Sequence, residues 1–371
     1  MNQLILIRTD ASLRIGSGHV MRCLTLAENL RKKGIKIEFI TRNHKGNLNR
    51  LIKNRKFDVK ILPTETNQQK NLKGYEKWLS ATQDEDAKDT IKALTKKQPD
   101  WIIIDHYTLD QTWAKKLRPY TKKIMVIDDL ANRIHDCDLL LDQTYGRDKS
   151  DYKNLVPDKS YFLLGSENAL LRPGFKKLRA LAIKRREEEP FIKKIMVSMG
   201  SMDEANITLK VLDSLSIIDW LQPPIINVVL ASGAPHMKEV KKIAAKFNFP
   251  VNVLTDVLNM ADLMLESDLA IGSGGTTSWE RCCMGLPTVL IVLAENQKKI
   301  GENLAQVGAT ITLQQNDNMK QNIKQAFMML MKDKKKYLEM SHNASKVCDG
   351  NGAQRTVEKL LSIYSGEQNV V

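Results

Sequence analysis

The chain has 371 residues, more than a single hydrophobic core usually serves, so two domains are expected. Its 42% hydrophobic and 27% charged residues are ordinary for a globular protein and argue against disorder. A formal net charge of +14 suits an anionic partner: nucleic acid, an acidic membrane surface or a phosphorylated metabolite.

The lysines do not choose between these partners. They are scattered along helical stretches, as at Lys238, Lys241, Lys242 and Lys246, where a solvated face explains them. No zinc finger, aromatic RNA-binding signature or clustered basic arm accompanies them, so nucleic acid is not expected as a partner. The cysteine count is odd (five), and none lies in a C-x-x-C, which reads as reduced thiols in a cytoplasmic protein. The opening MNQLILIRTD lacks a basic n-region and a cleavage site and reads as a first strand. No run approaches 18 apolar residues, so no membrane span is expected.

In chain order, residues 4–8 form a short β run. Helical periodicity follows over 18–33 through Val20, Leu24, Leu26, Ala27 and Leu30, stopping at Gly34. A second strand spans 35–41. WIIID (101–105) and IMVID (124–128) are unbroken apolar runs ending in an acid, the pattern of parallel strands buried on both faces. Residues 172–190, with RPGF and KRREEEP, read as a helix and linker. The alternation resumes with KKIMVSMG, a helix from about 205, then INVVLASG, VNVLTD, LAIGSGG and TVLIVLA. This predicts two α/β domains, 1–188 and 189–371, with the boundary near 187–190 and a terminal helix over 355–364. Ligands of such parallel sheets bind outside the carboxyl ends of the strands, which predicts a site in an interdomain cleft.

Four strand ends carry candidate chemistry. In RTDASLRIGSGHVMRC, Gly16 and Gly18 permit close backbone approach, and the adjoining helix start offers unpaired N–H groups. His19 sits at that start. A neutral imidazole is the usual general base near pH 7, although a lone histidine there fits capping or packing as well. Met at position 21 breaks the dinucleotide fingerprint G-x-G-x-x-G. In LAIGSGGTTSWE, the backbone of Gly274, Gly275 and Thr276 and the hydroxyls of Thr276 and Thr277 suit a phosphate, and Glu280, one turn on, suits ribose hydroxyls. The turn VSMGSMD, with Gly200 and Ser201, donates to a diphosphate or is a simple tight turn. AENQ with Asn303 offers amides to a sugar or is a solvated loop. IDHY (104–107) and Asp128-Asp129 end two further strands. Paired carboxylates suit a metal or glycosidase chemistry, but no histidine or carboxylate cluster supports a metal site.

RTDAS-x-x-IGSGHVMRCLTLA, IDHY, IDDLA, CDLLLDQ and GSGGTTSWERCCMGLPT together resemble the UDP-2,4-diacetamido-2,4,6-trideoxy-β-L-altropyranose hydrolases of pseudaminic acid biosynthesis, from about Arg8 to Gly308. The resemblance implies a GT-B-like fold: two Rossmann-like α/β domains whose parallel sheets face an interdomain cleft, with the nucleotide mainly on the second. It implies His19 as the base that activates water for attack at the anomeric carbon with inversion, and Glu280 on the ribose. It places the backbone around Val257 to Met260 on the uracil, and Gly200, Ser201, Gly274, Gly275 and Thr276 on the diphosphate. Arg14, Gly18, Tyr107, Gln297 and Asn303 would line the sugar. No metal and no cofactor is implied, and a monomer is expected. A GT-B glycosyltransferase would share the UDP site with an acceptor hydroxyl in place of water, and a non-catalytic nucleotide-sugar-binding protein would not need His19.

Overall fold

The computed structural model describes residues 3–64, 75–94 and 98–366. Two units divide the chain: Met1–Leu170 with Asn351–Val371, and Leu171–Gly350. The first runs β1 (Leu4–Thr9), α1 (Gly18–Lys32), β2 (Lys36–Arg42), α2 (Asn49–Asn54), β3 (Asp58–Leu62), α3 (Glu76–Leu79), α4 (Gln83–Ala93), β4 (Trp101–Asp105), α5 (Gln111–Leu117), β5 (Lys123–Ile127), β6 (Leu139–Asp142) and β7 (Tyr161–Leu164). Its strands pair in parallel in the order β3-β2-β1-β4-β5-β6-β7. The second runs α6 (Pro173–Glu188), β8 (Lys194–Ser198), α7 (Ile207–Ser216), β9 (Ile225–Leu230), α8 (Met237–Ala244), β10 (Val251–Thr255), α9 (Met260–Glu266), β11 (Leu269–Ser273), α10 (Thr277–Cys283), β12 (Thr288–Val292), α11 (Lys298–Gln306), β13 (Thr310–Gln314), α12 (Met319–Lys332) and α13 (Lys334–Val347). This sheet is also parallel, in the order β10-β9-β8-β11-β12-β13. Both units are Rossmann-like, as expected.

The unbroken apolar runs have a direct cause. In β4, Trp101 and Ile103 enter one hydrophobic cluster, with Val20, Leu24 and Ala27 of α1, while Ile102 and Ile104 enter another, with Trp113 and Ala114 of α5. Side chains alternate across a strand, so helices on both faces demand apolar residues at every position.

The structure corrects the expected boundary at both ends of the second domain. The stretch expected as a helix and linker is helix α6, and it belongs to the second unit. Arg179 donates to the Cys283 carbonyl, and Arg186 to the carbonyls of Met284, Met264 and Ser267. Arg179 and Arg186 therefore clamp the carboxyl ends of α9 and α10. The terminal helix α14 (Gly352–Ser365) belongs to the first unit, where Ala353, Val357, Leu360 and Ile363 join the cluster around α1 and β1. Gly352 makes this docking possible, because a Cβ there would lie 2.2 Å from the Asn168 backbone. Periodicity shows that α14 has an apolar stripe but not which sheet covers it.

Leu360→Ala should therefore destabilise the first unit by about 2–5 kcal/mol. Hydrogen exchange during chemical denaturation should locate the loss in β1 and α1; a loss confined to β8–β13 would contradict the assignment.

Candidate active site

Each sheet reverses its direction of growth once, between β1 and β4 in the first unit and between β8 and β11 in the second. Strand-end loops diverge at such a switch point and leave a crevice. The glycine turns read from the sequence follow β1, β8 and β11, so they sit at these two points.

After β1 the chain folds on itself. The Gly16 N–H donates to the Ser12 carbonyl at 2.9 Å, and Ser12 Oγ accepts from the N–H of Ile15 at 3.0 Å. Gly16 has φ +76°, which a glycine adopts without strain. Helix α1 then starts at Gly18 and presents His19 in its first turn, buried to 8% exposure. Arg14 and Gly18 are exposed on the same turn.

The ring of His19 is held by β4. Its Nδ1 lies 2.5 Å from Oδ1 of Asp105, the last residue of that strand and the register partner of Thr9. Arg22, one turn along α1, grips the same carboxylate with Nε and Nη2, both at 2.7 Å, and reaches Asp129 with Nη1 at 2.6 Å. Burial pushes the Asp105 carboxyl up, but the Arg22 guanidinium and His19 outweigh it and hold the group well below the usual carboxylate range. An ionised carboxylate only accepts, so Nδ1 carries a proton, and in the neutral imidazole Nε2 is the nitrogen with the lone pair. Tyr107 donates to Asp129 at 3.0 Å and meets the His19 ring edge-on at 4.6 Å, with Trp78 stacked on it at 5.5 Å. His106, next to Asp105, is a different case: it is fully buried, burial lowers it to about 3, and its Nδ1 accepts from the Thr108 N–H at 3.1 Å.

A second buried network underlies this one. Asp86 accepts from Arg8 at 2.7 Å, Arg42 at 2.8 Å and Trp113 at 2.9 Å, while Asp10 accepts the Arg42 N–H at 2.6 Å. The first arginine and aspartate of RTDAS thus tie the end of β1 to β2 and α4.

In the second unit, the loop after β11 is held from two sides. Gln297 Oε1 accepts the N–H of Gly274 at 3.3 Å and of Leu293 at 3.0 Å. Arg281 donates to the Ser273 carbonyl at 2.7 Å and to Thr277 Oγ1 at 3.2 Å. Arg281 is 1% exposed, and burial lowers it to about 10, which leaves it a cation at neutral pH. Gly272 exists for it: a Cβ there would lie 2.3 Å from Arg281 Nη1. Gly275 has open space around its Cα, and Gly200, at φ +111°, has the same. The Ser201 carbonyl accepts from the Ala231 N–H at 2.8 Å. Glu280 is paired with Arg172 at 3.2 Å. Val257 is half-buried, and Met260 starts α9 and is buried. Asn303 is half-buried on α11.

The structure thus groups His19, Arg14, Gly18 and Tyr107 in the first unit and the remaining candidates at strand ends of the second. Three of the expected site groups have partners within their own unit. The Gly274 N–H, expected on phosphate, bonds Gln297. The Gln297 carbonyl, expected on sugar, is engaged by that N–H. The Tyr107 hydroxyl is committed to Asp129. Arg22 and Arg281 had no role in the sequence reading, and Asp105 and Asp129 entered it only as strand-end carboxylates, without a link to His19. The acid ending IIID and the arginine three residues after His19 were the available signals. No group of three or more His, Cys, Asp or Glu among the described residues is placed to hold a metal ion. The five cysteines are buried free thiols. No described helix is long and apolar enough to cross a membrane.

Residues 194–358 match the glycosyltransferase family 28 C-terminal domain. The chain is 26% identical over 305 residues to the UDP-2,4-diacetamido-2,4,6-trideoxy-β-L-altropyranose hydrolase of Campylobacter jejuni, covering 82% of this chain and 97% of that one. It is 27% identical over 302 residues to an uncharacterized protein of Methanocaldococcus jannaschii, covering 80% of this chain but 57% of that longer protein. Among solved structures, MurG of Acinetobacter baumannii superposes with a TM-score of 0.70 at 15% identity, over 98% of this chain and 100% of that one. The resemblance to the hydrolase family read from the motifs therefore stands, and the fold is GT-B-like.

Arg22→Met leaves the buried Asp105 carboxylate and the half-buried Asp129 without their cation and should cost about 3–5 kcal/mol of stability, read from denaturant unfolding. Gly272→Ala should cost roughly 1–3 kcal/mol by forcing Arg281 from its seat; a thermal melt matching the wild type would show that the seat is not tight.

Proposed function

We propose that this protein hydrolyses a UDP-linked 2,4-diacetamido-2,4,6-trideoxy sugar, releasing UDP and the free sugar as a step in pseudaminic acid biosynthesis. The observation that carries the reading is the His19–Asp105 pair, 2.5 Å apart at a switch point, with Nε2 left as a base. The hydrolase relative, matched over nearly its whole length, supports it.

In this scheme Nε2 takes a proton from water as the water oxygen attacks the anomeric carbon. The bond from that carbon to the β-phosphate oxygen breaks with inversion, and the electron pair leaves on UDP. Asp105 keeps the imidazole in one tautomer and offsets the charge that it gains, as the carboxylate of a catalytic triad does. Arg22 keeps Asp105 ionised. Such a base contributes about 10²–10⁴ in rate, and positioning and leaving-group stabilisation supply the rest. No step calls on a metal or cofactor.

The second unit would hold UDP: the backbone at Val257 and Met260 on uracil, Glu280 on ribose, and Gly200, Ser201, Gly275 and Thr276 on the diphosphate. Gln297 would act through Gly274, by fixing that loop, and Arg281 would set Thr277. Because Thr277 Oγ1 accepts from Arg281, its own proton is free to point at a phosphate oxygen. Arg14, Gly18, the Tyr107 ring and Asn303 would line the sugar.

A UDP-sugar glycosyltransferase is the second reading, favoured by the match of residues 194–358 to a glycosyltransferase domain. NMR of the protein with UDP-linked diacetamido sugars, without divalent metal or acceptor, separates the two. UDP release at catalytic rate supports hydrolysis, whereas release only on adding an acceptor supports transfer. His19→Ala should lower kcat by about 10²–10⁴ and leave UDP affinity within about two-fold. Near-full turnover by that variant would remove His19 from the mechanism.

A further inference from the structure

The segment RPGF reads as linker sequence, yet Arg172 bonds two parts of the second unit that are far apart in the chain. Its Nη1 donates to the carbonyl of Leu258 at 3.1 Å, and its Nη2 to Glu280 Oε1 at 3.2 Å. Leu258 lies in the turn between β10 and α9, and Glu280 on α10 after β11. These are the segments assigned above to the uracil and the ribose. One side chain therefore spans the two halves of the nucleoside site.

The local structure aims it there. Pro173 opens α6, and a residue before proline is driven to extended backbone. Arg172 has φ −58° and ψ 145°, outside the helix, so its side chain leaves α6 sideways. The Phe175 ring, 5.2 Å from the guanidinium carbon, supports it from within the helix. The Leu258 turn needs a brace, because Asp256 before it holds φ +51° without being glycine and the Leu258 side chain is 82% exposed. The Arg172 and Glu280 side chains are 27% and 13% exposed, so the pair borders solvent, where a ligand can meet it. A pair this open contributes little to folding.

We propose that Arg172 is a positioning residue for the nucleoside. It fixes the spacing between the Leu258 turn and Glu280 and keeps that carboxylate charged, so that both ribose hydroxyls can donate to it. The inference rests on the UDP site proposed above. Burial raises the Glu280 carboxyl, and Arg172 pulls it back down, with a smaller pull from Arg281 beside it on α10. The Cys283 thiol, one turn on, is the other titratable group that senses Glu280. A neutral glutamic acid accepts fewer bonds, so UDP affinity falls as pH drops through the Glu280 pKa. Losing Arg172 raises that pKa and moves the fall to higher pH.

The test is calorimetric titration of UDP into the full-length wild type, Arg172→Gln, Arg172→Lys, Glu280→Gln and the Arg172→Gln/Glu280→Gln double variant, from pH 5.5 to 8. Arg172→Gln should weaken UDP about 10-fold at pH 7 and more at lower pH, with an unchanged melting temperature. Arg172→Lys should restore part of the loss. In Glu280→Gln the residual pH dependence belongs to UDP itself, and the double variant should bind no worse than Glu280→Gln. Arg172→Gln binding within two-fold of wild type at every pH would overturn the proposal, as would equal losses from Arg172→Gln with and without Glu280. UDP binding without turnover in the wild type would reject the hydrolase reading alone; a wild type that binds no UDP would reject the nucleotide site and this inference together.

Discussion

A carboxylate at the buried end of a strand is the constraint on which the first unit's site depends. Asp105 is 0% exposed, and left alone it would be protonated or would unfold its surroundings. It is tolerated because Arg22 meets it with two parallel N–H donors and His19 with a third, all from one turn of α1. That single solution fixes the helix against β4, the tautomer of the imidazole and the direction of its free nitrogen. The turn through Gly16 between β1 and α1 serves the same need, because it leads into a helix whose first two turns bring both residues over the end of β4.

Buried arginines recur in the second unit with different partners. Arg186 and Arg281 are at most 1% exposed and donate to carbonyl and hydroxyl oxygens. An uncharged oxygen offsets less of a cation's desolvation than a carboxylate does, and both guanidinium groups are lowered to about 10 as a result. Part of the +14 formal charge is therefore structural and internal. Arg281 holds the loop after β11 and Arg186 the ends of α9 and α10, so in both places the cation organises backbone that would otherwise have free carbonyls.

Much of this was legible beforehand. Strand identity was read correctly for β1, β2, β4, β5, β8, β9, β10, β11 and β12, most plainly where a parallel strand covered on both faces is apolar throughout, as in β4, β5 and β12. The glycine turns were legible because few residues other than glycine permit them. The roles of Gln297 and Tyr107 were not, because an amide or a phenol bonds a backbone N–H or a carboxylate as readily as a ligand. Nor was Asp105 separable from Asp10, Asp128 or Asp142, each an acid at a strand end.

The sequence by itself determined the local alphabet of this protein: which stretches are strands and helices, where the chain must turn, and that two Rossmann-like units would result. Those are properties of periodicity and of single residues, written within a few positions of one another. Only the tertiary structure decided which acid faces His19, that α14 returns to the first unit, and that the charged helix α6 is clamped into the second. Those outcomes depend on which apolar stripe covers which sheet and which buried charge finds which partner, across separations of about 80 to 350 residues that no local pattern encodes.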